Sequence, residues 1–592
     1  MRKRISILIL VLSMLSVLAS CNSGVTTGTN KATTKATTTA APTTTAATTP
    51  KAAEYPDYLN LDATYPIFKT GQAVRLTMAI PRNSATSDWD KLWVSKYLTK
   101  YYNMDLVVEQ IPDAGVVERV NLMFASGNLP DIMVNMGVVL DGSALVKYGV
   151  LDNQLLKLDQ YIDEKLTPDI IRRFNDTPTS KALATAPDGH MYSLPKTFET
   201  MDGTSLQRLN INSAWLKTVG LQNPRTLNEL TTVLRAFKTM DPAGVGSDNV
   251  VPLGGGVKVN HPGYYILNAL GYVVIQNGGN GTLPAIKNGE VVMPCGDQGF
   301  LEYLTTMNTY YKDGLISKKF FVMDNTELTG QMVSNYVGIY PGNRTDVTGI
   351  TNWTDWESTY ALTSDSNPTA VWPTPVAATT GGFVVSAKTK YPEACLRFAN
   401  AFFSIDSRIV WIGPPDGSEI AMGYLGRKVD ASDASVSSKT FDTSKFPTGI
   451  KDNWSYVMGY ISPSFSFGSI DMYDSINYYH VTYHGGKSIA VQTLNPTFAD
   501  HYFRLSAIDH VLPSISATFP NIYYLDENEN TKLADLDAVI KPYVEEQVAR
   551  FISGDRPLSE FNAYLAELKT IGISELETIY KNIWKNFLAS AK

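Results

Sequence analysis

Two histidines in the segment HVTYH have the spacing of a metal-binding helix. His480 and His484 are four residues apart, which would place both imidazoles on one helical face. A zinc protease of this pattern needs a glutamate directly after the first histidine, where this chain has Val481. The chain also lacks a G-x-S-x-G elbow, and GGGVKVN lacks the residues that end a phosphate loop. These motifs predict no metal chemistry and no nucleophilic catalysis. A carboxylate pair for glycoside hydrolysis stays open, because its spacing is three-dimensional.

The segment from 73 to 101 has the pattern of a strand followed by a helix. AVRLTMAI at 73–80 is a β-like run. Ser87 and Asp90 have the spacing of a capping box. Behind them, aromatic residues recur at helical spacing, at Trp89, Trp93, Tyr97 and Tyr101. We expect a helix that begins near Ser87.

A second helix and strand follow. Val116, Val120 and Met123 share one helical face, Gly127 predicts a left-handed helix end, and Pro130 prevents continuation. IMVNM then predicts a strand. The alternation of strands and helices predicts an α/β lobe with a mainly parallel sheet.

Candidate binding residues follow the two predicted strands. Ligands of open α/β sheets lie beyond the carboxyl ends of the strands. This rule selects Asn83, Asp88 and Trp89 after the first strand, and Asn135 and Met136 after the second. An ordinary loop or core role is the alternative for each of them.

The chain begins with the pattern of a secretion leader. Three basic residues precede an apolar run that ends at Leu18 and is too short to span a bilayer comfortably. The small residues before Cys21 resemble the bacterial lipobox, which implies a diacylglycerol on Cys21 and cleavage just before it. We therefore expect residues 1–20 to be a lipoprotein signal peptide and Cys21 to be a lipid anchor. An ordinary signal peptide with an incidental cysteine is the alternative.

The composition divides the rest of the chain into a linker and a body. Residues 21–54 are rich in Thr and Ala and bury too little apolar surface to fold, so they predict a lipid-anchored disordered linker. The whole chain carries 50 basic and 57 acidic residues, a negative balance that argues against a nucleic-acid partner. A second apolar stretch long enough to span a membrane is absent from the sequence.

Seven stretches of the body, in order, resemble one protein family. They are ERVNLMFASGNLPDIMV, KYGVLDNQLLKLDQYIDEKLTPDI, PDGHMYSLP, NINSAWLKTVGLQNPRTLNELTTVLRAFKTMDP, YYKDGLIS, GGFVVSAKTKYPEACLRFANAFF and FISGDRPLSEFNAYLAELKTIG. Together they resemble extracellular solute-binding protein family 1, the substrate-binding lipoproteins of carbohydrate ABC importers, and in particular its large LplA-like members. Each stretch alone is weak, and their shared order carries the resemblance.

The resemblance implies a fold and a domain organisation. It implies an α/β, two-lobed type II periplasmic-binding-protein fold with a hinge between the lobes. We place the crossings between lobes near 193–196 and 372–376. The expected lobes are a first α/β lobe of 72–194 plus 376–408 and a second, largely helical α/β lobe of 195–375 plus 409–592.

The chain departs from the family at one loop. Relatives often carry a calcium loop written DPNGNGKxDEIP, whereas this chain has DPAGVGSDNVVP at 241–252. Ala243 and Val245 replace two oxygen donors, and Val250 replaces a carboxylate. The remaining donors are Asp241 and Asp248 or Asn249. We therefore predict no structural calcium here and no cofactor.

Two cysteines of the body leave a choice open. Cys295 and Cys395 could pair in an oxidising exterior. Cys395, however, shares a helical face with Phe398 and Phe402, which favours buried free thiols.

The sugar binding that the resemblance implies requires aromatic rings to stack on sugar faces and polar groups to bind hydroxyls. The aromatic candidates are Trp89, Trp353, Trp356, Trp372, Trp411 and Trp454. We favour Trp372, on a predicted crossing strand, and Trp353, in the polar segment TNWTDWES. The polar candidates are Asp88, Asn135, Lys196, Arg208, Asn343 and Arg344. A core role is the alternative for each tryptophan.

These patterns lead to a functional hypothesis. We expect a monomeric, lipid-anchored receptor on the extracellular face of a bacterial membrane. It would capture an oligosaccharide and deliver it unaltered to the transmembrane permease subunits of an ABC importer with a separate ATPase. One alternative is a surface-anchored glycan hydrolase or lyase. Another is a glycan-binding adhesin or sensor without transport.

Overall fold

The computed structural model describes residues 55–63, 66–176, 178–197, 207–275, 278–343, 355–373, 378–403 and 510–590, with short pieces at 424–425, 440–441, 448 and 459–460. Several predictions from the sequence lie outside these residues. They concern the signal peptide (1–20), the linker (21–54), Cys21, Arg344, Trp353, Trp411, Trp454, His480 and His484.

Helices and strands alternate through most of the described chain. The strands are β1 (Arg75–Arg82), β2 (Asp105–Pro112), β3 (Ile132–Val134), β4 (Leu194–Thr197), β5 (Gln207–Asn212), β6 (Val251–Leu253), β7 (Ala285–Lys287), β8 (Glu290–Val292), β9 (Val337–Asn343), β10 (Trp356–Ser358), β11 (Trp372–Pro373), β12 (Ala378–Val385), β13 (Tyr424–Leu425), β14 (Thr440–Phe441) and β15 (Ile515–Ser516). The helices are α1 (Trp93–Tyr101), α2 (Val116–Ser126), α3 (Gly142–Leu145), α4 (Pro168–Asp176), α5 (Pro178–Ala184), α6 (Ser213–Val219), α7 (Leu227–Met240), α8 (Gly263–Ala269), α9 (Phe300–Lys312), α10 (Asn325–Val333), α11 (Pro392–Phe403), α12 (Glu527–Ser553), α13 (Phe561–Ile571) and α14 (Ile573–Ser590).

The first sheet has five strands in the order β2-β1-β3-β12-β4. β1 pairs in parallel with β3, as the sequence predicted, and also with β2, a strand that the sequence analysis did not identify. β12 runs antiparallel to β3 and β4, so the sheet is mixed rather than mainly parallel. The amino-terminal end of β12 therefore lies at the same edge as the carboxyl ends of β1 and β3.

Helices cover both faces of the first sheet, and the side chains of each strand alternate between these two faces. Leu76, Met78 and Ile80 of β1 pack on one face, in a core shared with α1 and α11. Ala79 of β1 packs on the opposite face, in a core shared with α2. A polar edge is thus the place where this sheet can meet a ligand.

The two predicted helices near this sheet differ in outcome. α2 ends at Gly127, whose φ of 63° is the predicted left-handed cap. α1 begins only at Trp93, after a short 3-10 turn, so the capping box predicted at Ser87 is wrong. Gln110 of β2 binds that turn on both sides, because its side chain donates to the Ser87 carbonyl and accepts from the Trp89 N–H.

The second sheet has four strands in the order β10-β5-β9-β6. β5 and β9 are antiparallel, and β6 is parallel to β9. α7 begins with a capping box between Thr226 and Glu229, and its apolar stripe packs on this sheet. The long carboxyl-terminal helices α12, α13 and α14 extend the same core, which accounts for its size.

Short segments connect the regions around the two sheets. β4 and β11 occupy the two positions predicted as crossings. A third segment, 515–525, was not predicted. β15 pairs with β11, and Asn521 donates its side-chain N–H to the Ala378 carbonyl of β12 at 2.8 Å. Phe519 nearby packs in the core of the second sheet. The lobe boundaries given above stay a prediction.

Both body cysteines are buried and free, as the helical pattern favoured. Cys295 lies in the core of the second sheet and Cys395 in a core of the first. Burial raises the pKa of both thiols, so neither is a reactive thiolate at neutral pH. Within the described residues, no helix has the length and hydropathy needed to cross a membrane.

Candidate functional site

A pocket of about 420 Å³ opens at the carboxyl edge of the first sheet. It is lined by Ile80, Pro81, Asn83, Thr86, Asp113, Val134, Asn135, Gly137, Val138, Lys196, Thr379, Thr380 and Gly382. These residues come from the ends of β1, β2 and β3, from the start of β12 and from β4. Three of the predicted site residues, Asn83, Asn135 and Lys196, meet here.

The loop after β1 is held in place by Arg82. Its guanidinium donates to the Thr86 carbonyl at 2.9 Å and to the Asp88 carboxylate at 3.0 Å. The side-chain oxygen of Asn83 accepts from the Ala85 N–H and from the Thr86 hydroxyl. These bonds fix Asn83 and Thr86 at the rim, with the Asn83 amide N–H groups left for a ligand.

The end of β3 turns sharply into the pocket wall. Asn135 has a φ of 58°, the left-handed region that asparagine tolerates better than most residues. Its N–H donates to the Gly382 carbonyl at 2.8 Å, and the next N–H, of Met136, donates to the Gly381 carbonyl at 2.7 Å. The turn thus anchors the wall to β12 through backbone bonds.

Glycines allow these two segments to approach closely. Gly381 has a φ of 65°, and a Cβ there would lie 2.6 Å from the Gly137 nitrogen. A Cβ on Gly137 would lie 2.6 Å from the Thr380 carbonyl oxygen. Since real Cβ atoms do not approach so closely, Gly137 and Gly381 are required to build this wall.

Lys196 supplies positive charge to the pocket. It lies on β4 and pairs with Thr379 of β12, and its side chain is half-buried. Burial lowers the pKa of Lys196, because the ammonium loses part of its hydration. Asp113, at the end of β2, is the acidic residue of the lining.

Three other residues predicted from the strand ends lie beside the pocket. Asp88 bonds Arg82 and Lys91, and these partners hold its pKa below the usual value, the Lys91 bond having the larger effect. Trp89 is half-buried against the core of the first sheet. Met136 is fully buried on the opposite face of that sheet. None of the three is a lining residue.

Two predicted tryptophan platforms have core positions. Trp372 is 2% exposed and packs against Tyr265, with ring centroids 4.8 Å apart. Trp356 is 4% exposed and packs with Val337 and Tyr340 of the second sheet. The structure therefore places both rings in hydrophobic cores, the role that was the alternative to a sugar platform.

Two further polar candidates lie on neighbouring strands of the second sheet. Arg208 of β5 pairs with Gly342 of β9, and Asn343 of β9 pairs with Gln207. Their backbones therefore lie close together on adjacent strands. Their side chains lie outside the described part of the chain.

Sequence reasoning missed four polar lining residues. Thr86, Asp113, Thr379 and Thr380 all belong to the pocket. Asp113 follows β2 directly, so the strand-end rule would have found it had β2 been identified as a strand. The threonines of β12 carried no such signal, because β12 enters the sheet in the opposite direction.

The lining suits a ligand with many hydroxyl groups. Amide, hydroxyl, ammonium and carboxylate groups together offer both donors and acceptors. The described lining contains no aromatic ring, so ring stacking would have to come from elsewhere in the chain. Among the described residues, no group of three or more His, Cys, Asp or Glu side chains could hold a metal ion.

Comparison with known proteins extends these observations. A family model described as bacterial extracellular solute-binding protein matches residues 92–413, just over half of the chain. The fructooligosaccharide ABC transporter substrate-binding protein FusA of Streptococcus pneumoniae is 32% identical over 244 residues, which are 39% of this chain and 43% of that protein. The chain spans about half the length of the curated relatives it matches.

Solved structures share the fold. An extracellular solute-binding protein from Bifidobacterium longum subsp. infantis matches with a TM-score of 0.69 at 19% identity, over 88% of this chain and 99% of that one. FusA of S. pneumoniae in complex with kestose matches with a TM-score of 0.60 at 20% identity, over 87% and 100% of the two chains. The fold is thus the predicted two-lobed α/β fold. With its family model and its fold in agreement, this chain belongs to the bacterial extracellular solute-binding proteins.

Proposed function

We propose that this protein is the substrate-binding receptor of an ABC importer, which captures an oligosaccharide between its lobes and releases it unaltered. The observation that carries the proposal is the polar pocket at the carboxyl edge of the first sheet. This edge is where open α/β sheets bind ligands. The relative FusA is a fructooligosaccharide-binding protein of an ABC transporter, which supports an oligosaccharide as the ligand.

Capture would begin on the first sheet and end with closure of the lobes. Asn83, Asn135 and Lys196 would bind sugar hydroxyls through hydrogen bonds, with Thr379 and Thr380 beside them. The second lobe would supply the stacking surfaces that the described lining lacks. Trp353, Trp411 and Trp454 stay our candidates for these surfaces, with Arg208, Asn343 and Arg344 as polar partners.

Delivery would take place at a membrane. We propose a diacylglycerol anchor on Cys21, a linker of residues 21–54, and a folded body that meets a permease driven by separate ATPase subunits. Cys21→Ser expressed in a bacterium should shift the protein from the membrane fraction to the medium. Mass spectrometry of the native protein should find the lipid. An unmodified Cys21 in a protein that stays on the membrane would contradict the anchor.

Isothermal titration calorimetry of the full chain tests the binding step. Kestose is the first probe, because it is the ligand bound by the structural relative, and a panel of plant and bacterial oligosaccharides follows. We expect at least one of them to bind, and chromatography to recover it intact. Cleavage of the bound sugar would favour a hydrolase, and absence of binding across the panel would contradict an oligosaccharide receptor.

A matched pair of variants localises the site. Asn135→Gly removes the amide while glycine accepts the left-handed backbone, and it should weaken binding at least tenfold, equal to about 1.4 kcal/mol. Asn288→Gly is the control, because Asn288 has a φ of 52° in the exposed turn between β7 and β8. Equal affinities for the two variants would exclude the pocket as the site.

A further inference from the structure

Lys238 gives the loop after α7 a positive charge of its own. From the last turn of α7, its ammonium donates to the carbonyl oxygens of Ser247 at 2.8 Å and Val250 at 2.9 Å. Asp241 ends the helix with a φ of 46°, and its carboxylate accepts from two backbone N–H groups of the loop. The side chain of Lys238 is half-buried beneath the loop.

The same loop is where family resemblance implies calcium, and its residues do not fit that ion. Calcium takes six to eight oxygen ligands. Ala243 and Val245 instead pack against the core of the second sheet, and Val250 is a buried member of that core. Asn249 donates its side-chain N–H to the Val245 carbonyl at 2.9 Å. The donor positions have thus been converted to hydrophobic contacts.

We propose that Lys238 takes the place of a metal ion in this loop. Its ammonium binds the carbonyl oxygens of Ser247 and Val250 and so ties the closed loop to α7. The loop therefore folds without calcium and does not bind it. A lysine is suited to this role, since three donor hydrogens on a compact charge can bind several carbonyl oxygens.

Burial and the neighbouring Asp248 carboxylate have opposing effects on the pKa of the Lys238 ammonium. Burial lowers the pKa of Lys238, Asp248 opposes this effect, and Lys318 adds to it. The two carbonyl bonds act against the loss of hydration, because bonds to a charged donor are stronger than neutral ones.

Thermal unfolding of the full chain tests the proposal directly. The melting temperature of the wild type should be unchanged by calcium chloride or by a calcium chelator. Lys238→Met keeps the apolar stem and removes the charge, and it should melt a few degrees lower. Lys258→Met, at an exposed lysine, is the control and should melt with the wild type. A rise of the wild-type melting temperature with calcium, or no fall in Lys238→Met, would overturn the proposal.

A variant designed to gain calcium binding distinguishes two roles of Lys238: replacing a calcium ion, or only packing beneath the loop. Ala243→Asn with Val245→Asp restores two oxygen donors. With Lys238 in place, this variant should stay insensitive to calcium. With Lys238→Met added, calcium should raise its melting temperature, and calorimetry should detect binding of the ion. Equal calcium responses in both backgrounds would overturn the proposal. If Lys238→Met does not fold, Lys238→Gln replaces it in both tests, with the same outcomes required.

Discussion

The edge of the first sheet and the core of the second sheet use polar and aromatic residues in opposite ways. At the edge, Asn83 and Asn135 end strands and turn toward a pocket, and backbone bonds to β12 hold the wall. In the core of the second sheet, Trp372 lies on a predicted crossing and is buried against Tyr264 and Tyr265. A residue's position relative to a strand end therefore indicated a place in the pocket lining better than its capacity to stack on sugars did.

The difference has a physical cause. A polar side chain at a strand end is kept at the surface by the cost of burying it without partners. A tryptophan at the same kind of place gains free energy by turning inward. The aromatic choice was ambiguous in the sequence for this reason, and the polar choice was less so.

Replacement of Trp372 should give the largest loss of stability among these variants. It also tests whether the core of the second sheet differs from the pocket edge as described. Trp372→Ala removes a buried ring, and we expect a loss of about 3–5 kcal/mol of unfolding free energy. The affinity of the folded fraction for the bound oligosaccharide should change little. Urea denaturation and calorimetry measure the two quantities. Tyr101→Ala, at a side chain that is 38% exposed, is the control and should lose far less stability.

The opposite result for Trp372 would be informative. Weakened binding with unchanged stability would mean that the ring reaches the ligand after all. The distinction between edge and core would then fail.

The pH dependence of stability due to His261 tests how strongly the region of the second sheet excludes water from a buried polar side chain. Its Nδ1 accepts the Gly263 N–H at 2.9 Å, so this imidazole is neutral, and burial lowers its pKa to about 4. Because the unfolded state has the higher pKa, near 6.5, the stability is complete above that value and is lost as the pH falls toward 4. The loss should be at most about 3 kcal/mol.

His261→Asn isolates this effect, since its side-chain oxygen can accept the same N–H. Denaturation curves from pH 7 to pH 4 should fall less steeply for the variant than for the wild type. Curves of equal slope would show that His261 does not carry the acid sensitivity.

Local sequence signals predicted local structure well. The left-handed helix end predicted at Gly127 is present, because it depends on residues within one turn of the helix. The start predicted for α1 at Ser87 was wrong because distant partners act there. The Gln110 side chain forms hydrogen bonds with the Ser87 carbonyl and the Trp89 N–H. The Arg82 guanidinium donates to the Asp88 carboxylate.

Only part of the pocket lining could be predicted from the sequence. Asn83, Asn135 and Lys196 could be chosen from strand ends and a predicted crossing. Thr379 and Thr380 could not, because their place beside Asn135 depends on β12, much later in the chain, pairing antiparallel with β3 and β4. Long-range pairing of this kind leaves no mark within one strand.

A pair of glycine variants tests the edge itself. Gly381→Ala forces a Cβ onto the Gly137 backbone at a φ of 65°, which should cost about 1–3 kcal/mol and should weaken ligand binding. Gly289→Ala has a φ of 84° with open space around it, so it carries a similar backbone strain without the clash. Only Gly381→Ala should lose affinity in calorimetry. Equal affinities would show that the close approach of β12 does not shape the site.

The smallest effect is expected at Asp88. Asp88→Asn weakens exposed bonds to Arg82 and Lys91, which solvent screens, so stability at neutral pH should fall only slightly. Because these partners lower the pKa of Asp88, its contribution is present above the usual carboxyl pKa and is lost as the pH falls through the lowered value. The stability difference between wild type and variant should therefore vanish in acid. Since Arg82 still donates to the Thr86 carbonyl, the loop keeps its place at the rim. Ligand affinity should then be nearly unchanged, whereas a large loss would put Asp88 in contact with the ligand.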